Sequence, residues 1–418
     1  MTRYLAISCG LGLVVAALWV YSPAWGEDDI EATPVATDPA TIERGRYLAR
    51  AGNCIACHTV PGEPAYSGGR AIETPFGSII STNLTPDDET GLGQWTTADF
   101  WRALHFGRSK DGRRLYPAFP YTSYTHVRRK DADAMFAFFQ SLAAVNKPHP
   151  GHDLRFPYNM QQSLMIWRAL YFEPGVFEPD TSRSKLWNRG AYLVEGLGHC
   201  RACHTPRNAL GALQSASDYA GGPIPMQGWD ALPLTYSKPL DDDQAKELLR
   251  LLKTGTSRNA VTTGPMAEVV FHSLQYLNHD DLAAIVSYIR ALPYAKPPQP
   301  PAQIRVTAEQ SKRLSKKGQE LYTEHCSDCH GKRGQGQPYK HPALAGNSLV
   351  TAASTTNVIR SVLFGGFAPS TQENPRPYGM PPFAHQLSDE EVAAVITYIR
   401  SSWGNNADAV SPAQVRRR

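Results

Sequence analysis

The chain has 418 residues, and its 42 lysine and arginine residues nearly balance 38 aspartate and glutamate residues, giving a formal net charge of +4. This charge is too small to predict a nucleic-acid-binding protein. The length predicts several domains rather than one. The sequence contains no dinucleotide-binding fingerprint, phosphate-binding loop or nucleophile elbow, so we expect no independent substrate chemistry.

Residues 1–26 have the features of an export signal. Arg3 precedes an apolar run that ends at Val20, and small residues at Ala24 or Gly26 offer cleavage points before an acidic stretch. The run is only slightly shorter than a membrane span, so an uncleaved anchor is the alternative. The flanking residues favour cleavage.

Six of the seven cysteines lie in three pentapeptides of the form C-x-x-C-H. Two thiols at this spacing lie about one helical turn apart and can reach the two vinyl groups on one edge of a porphyrin, while the histidine that follows lies under the iron. A redox dithiol would lie in a βαβ context and a zinc site would need paired C-x-x-C units, and neither surrounds these stretches. The pattern therefore predicts three covalent haems c. The expected thioether residues are Cys54 and Cys57, Cys200 and Cys203, and Cys326 and Cys329, and the expected proximal iron ligands are His58, His204 and His330.

Each motif follows a predicted helix, and each repeat closes with a second one. The first helices contain Gly45, Gly190 and Gly318 near bulky residues, and each glycine would let its helix cross closely against another. Apolar residues at positions i, i+3, i+4 and i+7 predict a core face on each closing helix. These faces are Met135, Phe138, Phe139 and Leu142, then Leu282, Ile285, Val286 and Ile289, then Val392, Val395, Ile396 and Ile399.

We therefore predict an all-α fold of three tandem class I cytochrome c domains joined by proline-rich linkers. The second linker contains two Pro-Pro pairs, which are typical of a semi-rigid polyproline spacer. The predicted segments are a signal peptide or anchor at 1–26, domains at 40–146, 185–293 and 308–404, linkers at 147–184 and 294–307, and a tail at 405–418.

Methionine is the usual sixth ligand of the iron in electron-transfer cytochromes, and it raises the reduction potential. Met266 and Met380 lie beside glycine and proline in predicted loops, where they are poorly explained as core residues. We predict that they are the sixth ligands of the second and third haems. Met226 is a weaker alternative to Met266.

The first repeat departs from this pattern, because Phe119 stands where a methionine is expected and phenylalanine cannot ligate iron. Met135 lies on the core face of the closing helix and is rejected as a substitute. His105 and His126 are the remaining nearby donors. We predict either a five-coordinate first haem or a bis-histidine haem of lower potential, with His126 as the candidate sixth ligand.

The chain from about Thr41 to Trp403 resembles the three-haem cytochrome c subunits of bacterial membrane-associated dehydrogenases. Members of that family typically have a methionine where this chain has Phe119. Beyond the haem motifs, the resemblance rests on residues 83–86, 111–118, 204–208, 264–268 and 272–277.

The resemblance implies an electron-transfer subunit rather than the subunit that oxidises the substrate. Its partner would be a large catalytic dehydrogenase subunit, a quinoprotein, flavoprotein or molybdoprotein that oxidises an alcohol, a sugar or an aldehyde. The electrons would leave to ubiquinone or another acceptor of the respiratory chain. Because haem c is attached outside the cytoplasm, the expected location is the periplasm, in association with the outer face of the cytoplasmic membrane.

Two other functions stay open at this point, a free-standing periplasmic electron carrier and a haem enzyme that uses an open first haem. The aromatic residues of the first linker are expected to be buried either between domains or against a partner subunit. The basic residues at 416–418 could touch anionic lipid or an acidic partner, although a solvated surface is the simpler expectation.

Overall fold

The computed structural model describes residues 30–299 and 305–417. The predicted export signal at 1–26 and part of the second linker lie outside these residues. The chain forms two compact units, one comprising the residues up to Asp180 together with Glu195–His199, and the other comprising Thr181–Val194 and the residues from Cys200 onward. The second unit contains both the second and the third C-x-x-C-H motif, so the division into three domains stays a prediction.

Helices are the main regular structure of the first unit, which also contains a small antiparallel sheet with strand order β1–β2–β3. The elements in chain order are α1 (Pro39–Ala51), α2 (Cys54–Cys57), β1 (Ala71–Thr74), β2 (Gly77–Ile80), α3 (Thr97–Phe106), α4 (Tyr121–Tyr124), α5 (Arg129–Gln140), β3 (Asp153–Leu154) and α6 (Gln161–Tyr171).

The second unit is also mainly helical, and its strands form two short antiparallel pairs, β4 with β5 and β6 with β7. The all-α prediction therefore omitted the short strands of both units. A π-helical stretch, Tyr192–Leu197, follows α7 and crosses the boundary between the units. The elements are α7 (Lys185–Ala191), α8 (Arg201–His204), β4 (Gly222–Ile224), β5 (Trp229–Ala231), α9 (Asp242–Thr254), α10 (Pro265–His272), α11 (His279–Arg290), α12 (Ala308–His325), α13 (Ser327–His330), α14 (Ser348–Thr351), α15 (Thr356–Phe364), β6 (Gly366–Phe367), β7 (Gly379–Met380), α16 (Asp389–Ser401) and α17 (Pro412–Arg416).

One helix crossing occurs three times, in α1 with α5, α7 with α11, and α12 with α16. A Cβ atom added at the glycine of the first helix would overlap the backbone carbonyl of an alanine in the second. The close crossing that the glycines predicted is therefore confirmed. The facing pairs are Gly45 with Ala134, Gly190 with Ala284, and Gly318 with Ala394.

An ion pair accompanies each crossing. The residue before each glycine is basic, and it contacts the acidic residue three positions before the facing alanine. The pairs are Arg44 with Asp131, Arg189 with Asp281 through two hydrogen bonds of 2.7 Å, and Lys317 with Glu391 at 3.5 Å. The same packing unit is therefore built three times from different residues.

The predicted apolar faces of the closing helices are buried as expected, except that Leu142 lies beyond the end of α5 at Gln140. Helix α16 begins with the predicted capping box, in which Ser388 and Glu391 each accept from the other's backbone amide. Sequence periodicity and capping chemistry thus account for the positions of these helices.

The C-terminal segment packs against the core of the third repeat. Val410 and Val415 are buried in the same apolar cluster as Ile396 and Ile399. The side chain of Arg400 is buried and donates to the backbone carbonyls of Ala352 at 2.9 Å and Asp408 at 2.8 Å, and also to that of Val350. The predicted tail at 405–418 is therefore part of the fold as far as Val415, whereas Arg416 and Arg417 are exposed, as expected of the basic residues at its end.

The aromatic linker has two different faces. Leu164 and Met165 of α6 are buried within the first unit. Phe156, Ile166 and Leu170 are exposed, at 79%, 57% and 63% of their surface. The linker thus contributes to the core of the first unit and leaves several apolar side chains at its surface.

Within the part of the chain that the structure describes, no helix combines the length and apolar character that a membrane crossing needs.

Candidate haem sites

Each C-x-x-C-H motif folds into a single helical turn. The backbone amide of the motif histidine donates to the carbonyl of the first cysteine at 3.0 Å in all three copies, from His58 to Cys54, from His204 to Cys200 and from His330 to Cys326. The two cysteines of each motif therefore lie about one turn apart, which is the separation that the motif predicts.

The approach to the motif differs between copies. Asn53 and His199, which precede the first cysteine of the first and second motifs, have left-handed backbone angles of φ 52° and φ 36°. Such angles are uncommon for residues other than glycine. In the third copy, α12 runs to His325, and Cys326 follows without a left-handed residue. The approach to the turn is therefore variable, whereas the turn itself is constant.

A backbone carbonyl orients each motif histidine. The Nδ1 atom of His58 lies 2.7 Å from the Thr82 oxygen, that of His204 lies 2.7 Å from the Leu232 oxygen, and that of His330 lies 2.9 Å from the Pro342 oxygen. Since a carbonyl only accepts, each Nδ1 must carry the ring proton, and Nε2 keeps the lone pair that ligates a metal. Ring orientation by such a second partner is typical of metal-ligating histidines.

Burial lowers the pKa of the three motif histidines, and the backbone carbonyls oppose this shift only in part. The rings are therefore held neutral at pH 7. A neutral imidazole is the form that binds a metal.

The chemistry of the thiols does not fit a redox dithiol. Burial is the main cause that raises the pKa of Cys54 to about 12 and that of Cys326 to about 11, and the second cysteine of each motif adds to the shift. A reactive dithiol needs a thiol pKa below its usual value. The described cysteines form no disulfide, and within the described residues no three His, Cys, Asp or Glu side chains cluster as a metal site would require.

Two of the predicted methionines lie on ordered elements. Met380 is in β7, where it pairs with Gly366, and its side chain packs against the third core. Met266 is the second residue of α10 rather than part of a loop, and Gly264 before it has φ 55°. The rival Met226 is 62% exposed, so it is less well placed than the half-buried Met266 for a ligand role.

The first repeat has aromatic rings and histidines where a methionine was expected. The Phe119 ring lies 5.3 Å from that of Tyr124. His126 places Nδ1 2.9 Å from the Gly175 oxygen, so Nε2 is the nitrogen that carries the lone pair. His105 is buried, places Nδ1 2.7 Å from the Thr125 oxygen and stacks on Trp101, as expected of a core histidine.

His199 is a half-buried polar residue that the sequence analysis did not single out. Within the first unit, its Nε2 lies 3.3 Å from the Gly52 carbonyl, which also accepts from the Tyr124 hydroxyl at 3.0 Å. Burial lowers the pKa of His199. In the sequence, the position of His199 next to Cys200 was the only feature that could have indicated its place beside the motif.

Comparisons with known proteins agree with this geometry. Residues 42–143 and 315–403 match the Cytochrome c family, and these ranges contain the first and the third motif. The gluconate 2-dehydrogenase cytochrome c subunit of Pantoea cypripedii is 38% identical over 392 residues, which cover 90% of this chain and 88% of that protein. This chain belongs to the family of dehydrogenase cytochrome c subunits.

Other relatives of this cytochrome c subunit serve different dehydrogenases. The cytochrome c subunit of the quinone alcohol dehydrogenase of Gluconacetobacter polyoxogenes is 36% identical, with 88% of this chain and 82% of that protein covered. A subunit of the nicotinate dehydrogenase of Pseudomonas putida is 39% identical over 93% of this chain, which spans about a third (33%) of that longer protein.

Similarity of this cytochrome c subunit to solved structures is weak. Thiosulfate dehydrogenase from Marichromatium purpuratum has a TM-score of 0.18 and 15% identity, covering 91% of this chain and 72% of that one. A score this low carries no argument about the fold.

Membership of the cytochrome c family implies covalently bound haem c. The motif turns of this subunit fit that group, because each offers two thiols one turn apart and a neutral imidazole whose Nδ1 is already bonded.

Proposed function

We propose that this cytochrome c subunit carries three covalent haems c and relays electrons from the catalytic subunit of a dehydrogenase to quinone or another respiratory acceptor. The observation that carries the proposal is the threefold repetition of one arrangement, a C-x-x-C-H turn whose histidine donates Nδ1–H to a backbone carbonyl. Haem c supplies an iron centre that takes up and releases one electron at a time.

The residues have the following roles in this proposal. Each cysteine pair forms two thioether bonds, and each motif histidine supplies Nε2 to the iron. The backbone carbonyl that accepts from Nδ1 fixes the tautomer and makes the ring a stronger donor. The thioether residues are Cys54, Cys57, Cys200, Cys203, Cys326 and Cys329, the proximal ligands are His58, His204 and His330, and the sixth ligands of the second and third sites are Met266 and Met380.

The first site is proposed to lack a methionine ligand. Phe119 occupies the corresponding stretch, and the two rings of Phe119 and Tyr124 contact each other there. His126 is the residue whose Nε2 can fill the position. A His126→Ala variant tests this: if His126 ligates iron, the low-spin spectrum of one haem is lost, and if it does not, the spectrum is unchanged.

The partner is proposed to be a quinoprotein, flavoprotein or molybdoprotein subunit located in the periplasm. Support comes from the names of the relatives, which are cytochrome c subunits of alcohol, gluconate and fructose dehydrogenases. The export features of residues 1–26 and the attachment chemistry of haem c support the location. Association with the outer face of the cytoplasmic membrane and electron delivery to quinone are parts of the same proposal.

The test begins with the tagged full chain, isolated from native membranes in mild detergent. We expect three haems per chain and a co-purifying large subunit that carries pyrroloquinoline quinone, flavin or molybdopterin. Adding the substrate of that subunit should reduce the haems. A chain that elutes alone and that no substrate reduces would contradict the relay function and would favour a free-standing carrier.

The absence of a methionine at Phe119 favours haem-based catalysis at the first site as a second candidate function, because an open iron position can bind a small ligand or peroxide. Peroxide turnover by the isolated protein is the measurement. Turnover that disappears when His58 is replaced would support this candidate, and no turnover would exclude it.

A further inference from the structure

We propose that α15 (Thr356–Phe364), a helix in the segment of the third motif, positions both axial ligands of the second haem through Asn357 and Arg360. The inference rests on the proposed ligand roles of His204 and Met266. All the contacts involved lie within the second compact unit.

The first contact leads to His204. The Asn357 side chain accepts from the Asp230 amide at 2.9 Å and donates to the Asp230 carbonyl at 2.7 Å, as a neighbouring strand would. In the β4–β5 pair, Asp230 thus directs its amide and its carbonyl away from β4, towards Asn357. Asn357 therefore completes the hydrogen bonding of β5. Two residues after Asp230, the Leu232 carbonyl accepts from His204 Nδ1 at 2.7 Å.

The second contact leads to Met266. The Arg360 guanidinium lies over the Trp229 ring at 5.2 Å and the Phe364 ring at 5.0 Å, so the indole is held against α15. The Trp229 ring is in turn packed so closely on Gly264 that a Cβ atom there would lie 2.7 Å from it. Because Met266 follows Gly264 by two residues, the position of its backbone depends on Trp229.

The same helix also contacts the third site. Gly365, directly after α15, lies so close to the carbonyl of Met380 that a Cβ atom would overlap it. Helix α15 and the residue that follows it thus contact the supports of proposed axial ligands at both the second and the third site. A movement of α15 would change both.

These contacts predict that the axial ligands of the second site are held less firmly when the side chains of α15 are removed. Without Asn357, the half-buried amide and carbonyl of Asp230 lose their side-chain partner, and the strand that carries Leu232 loosens. Loss of such outer partners typically weakens metal binding by 10- to 100-fold. Added imidazole competes for iron with methionine and also with a histidine that is held less firmly. We therefore expect imidazole to bind more tightly when the protein holds its own ligand less well.

The experiment is an imidazole titration of the oxidised full chain, followed by absorbance. The wild type can already bind imidazole at sites that are open. For one further equivalent of imidazole, Asn357→Ala and Arg360→Ala should each raise the affinity about tenfold over that of the wild type, or by about 1.4 kcal/mol. Arg250→Ala is the matched control, because it also removes one positive charge and a cation–π contact, with Tyr339 at 4.6 Å, in the same unit. It should leave the affinity unchanged. If Asn357→Ala does not accumulate, Asn357→Asp keeps the acceptor, loses the donor and carries the test.

A double variant assigns the effect to the second haem. Met266→Ala alone should open one site to imidazole, and adding Arg360→Ala, which acts on the same ligand, should give no further gain. An additional gain in imidazole affinity would mean that the third site responds. Equal imidazole affinities for Asn357→Ala and Arg250→Ala would mean that α15 positions neither ligand. Either result overturns the inference while the proposed function stands. If Met266→Ala opens no site, the assignment of Met266 fails, and the inference fails with it.

Discussion

The first and the third repeat share one frame and differ in what surrounds it. In both, a glycine of the first helix packs on an alanine of the closing helix, and a backbone carbonyl holds the motif histidine. The first repeat enters its motif through left-handed Asn53 and has Phe119 in place of a methionine. The third repeat enters from a continuous helix, has Met380 on a strand, and is covered by the C-terminal segment that Arg400 anchors.

Under the proposed function, this difference separates the part of the fold that attaches a haem from the part that tunes it. The crossing helices and the motif turn are needed wherever a haem is attached, so they recur. The sixth position and the covering segments set the potential and the access to the iron, so they can differ between sites. In the proposed relay, variation outside the frame would give the sites different reduction potentials.

The largest effect should come from breaking the shared frame. Gly45→Ala places a methyl group on the Ala134 carbonyl, so the helices must separate, and we expect a loss of about 3 kcal/mol in the free energy of unfolding of the first unit. Gly175→Ala is the control, because a Cβ atom there meets nothing within 4 Å. Urea unfolding followed by fluorescence measures both. Equal stability of the two variants would show that the crossing is looser than described.

The next prediction concerns the Arg400 anchor of the third repeat. Arg400→Leu leaves the buried Val350 carbonyl, and those of Ala352 and Asp408, without their donor, and we expect a loss of about 2 kcal/mol in stability. Arg416→Leu removes an arginine of the same segment that is exposed and pairs with Asp389, and should cost less than about 0.5 kcal/mol. Hydrogen exchange at Val410 and Val415 distinguishes the two. Unchanged protection in Arg400→Leu would contradict the anchoring role.

The third prediction makes the first site resemble the other two. Phe119→Met should provide the missing sulfur ligand, so the affinity of the first site for added imidazole should fall at least about tenfold, or 1.4 kcal/mol, and its reduction potential should rise. Phe119→Leu is the control, because leucine is similar in size to methionine and has no ligating atom. Identical imidazole affinities for the two variants would show that residue 119 does not face the sixth position.

The smallest effect is expected from the capping box of the third closing helix. Hydrogen bonds from the Ser388 amide and hydroxyl hold the pKa of Glu391 below its usual 4.5. The unfolded chain therefore binds a proton at Glu391 more readily than the folded chain does. The contribution of Glu391 to the free energy of unfolding is full above pH 4.5 and is lost as the pH falls through the folded pKa. Glu391→Gln should remove less than about 1 kcal/mol, because solvent screens an exposed group.

Hydrogen exchange in α16 between pH 3 and pH 6 measures this contribution. The first closing helix starts at Arg128 without a side-chain cap, and it serves as an internal reference. A pH dependence of exchange that persists in Glu391→Gln would show that another group causes it.

Local chemistry made much of this molecule predictable. The C-x-x-C-H spacing, the glycines of the crossing helices and the apolar faces of the closing helices all act over one or two helical turns. The structure confirms the predicted close crossings at Gly45, Gly190 and Gly318. The carbonyl partners of the histidines were not predictable, because Thr82 and Leu232 are more than twenty residues away and any residue offers a carbonyl.

Other features were missed for similar reasons. The burial of the C-terminal segment depends on Arg400, whose partners are backbone atoms up to 50 residues distant. The amino-acid sequence alone does not show which charged side chain is buried against backbone carbonyls. Asn357 and Arg360 likewise act on residues of another repeat, and hydrophobic periodicity contains no information about such pairs.

The carbonyl that orients each motif histidine belongs to the main chain, and this has a consequence for how such proteins diverge. Thr82, Leu232 and Pro342 share no side-chain property, and none is needed. A point mutation at these positions changes a side chain and leaves the acceptor in place. The outer support of the ligand is thus encoded by the path of the backbone, and selection can preserve it while the three residues drift freely in identity.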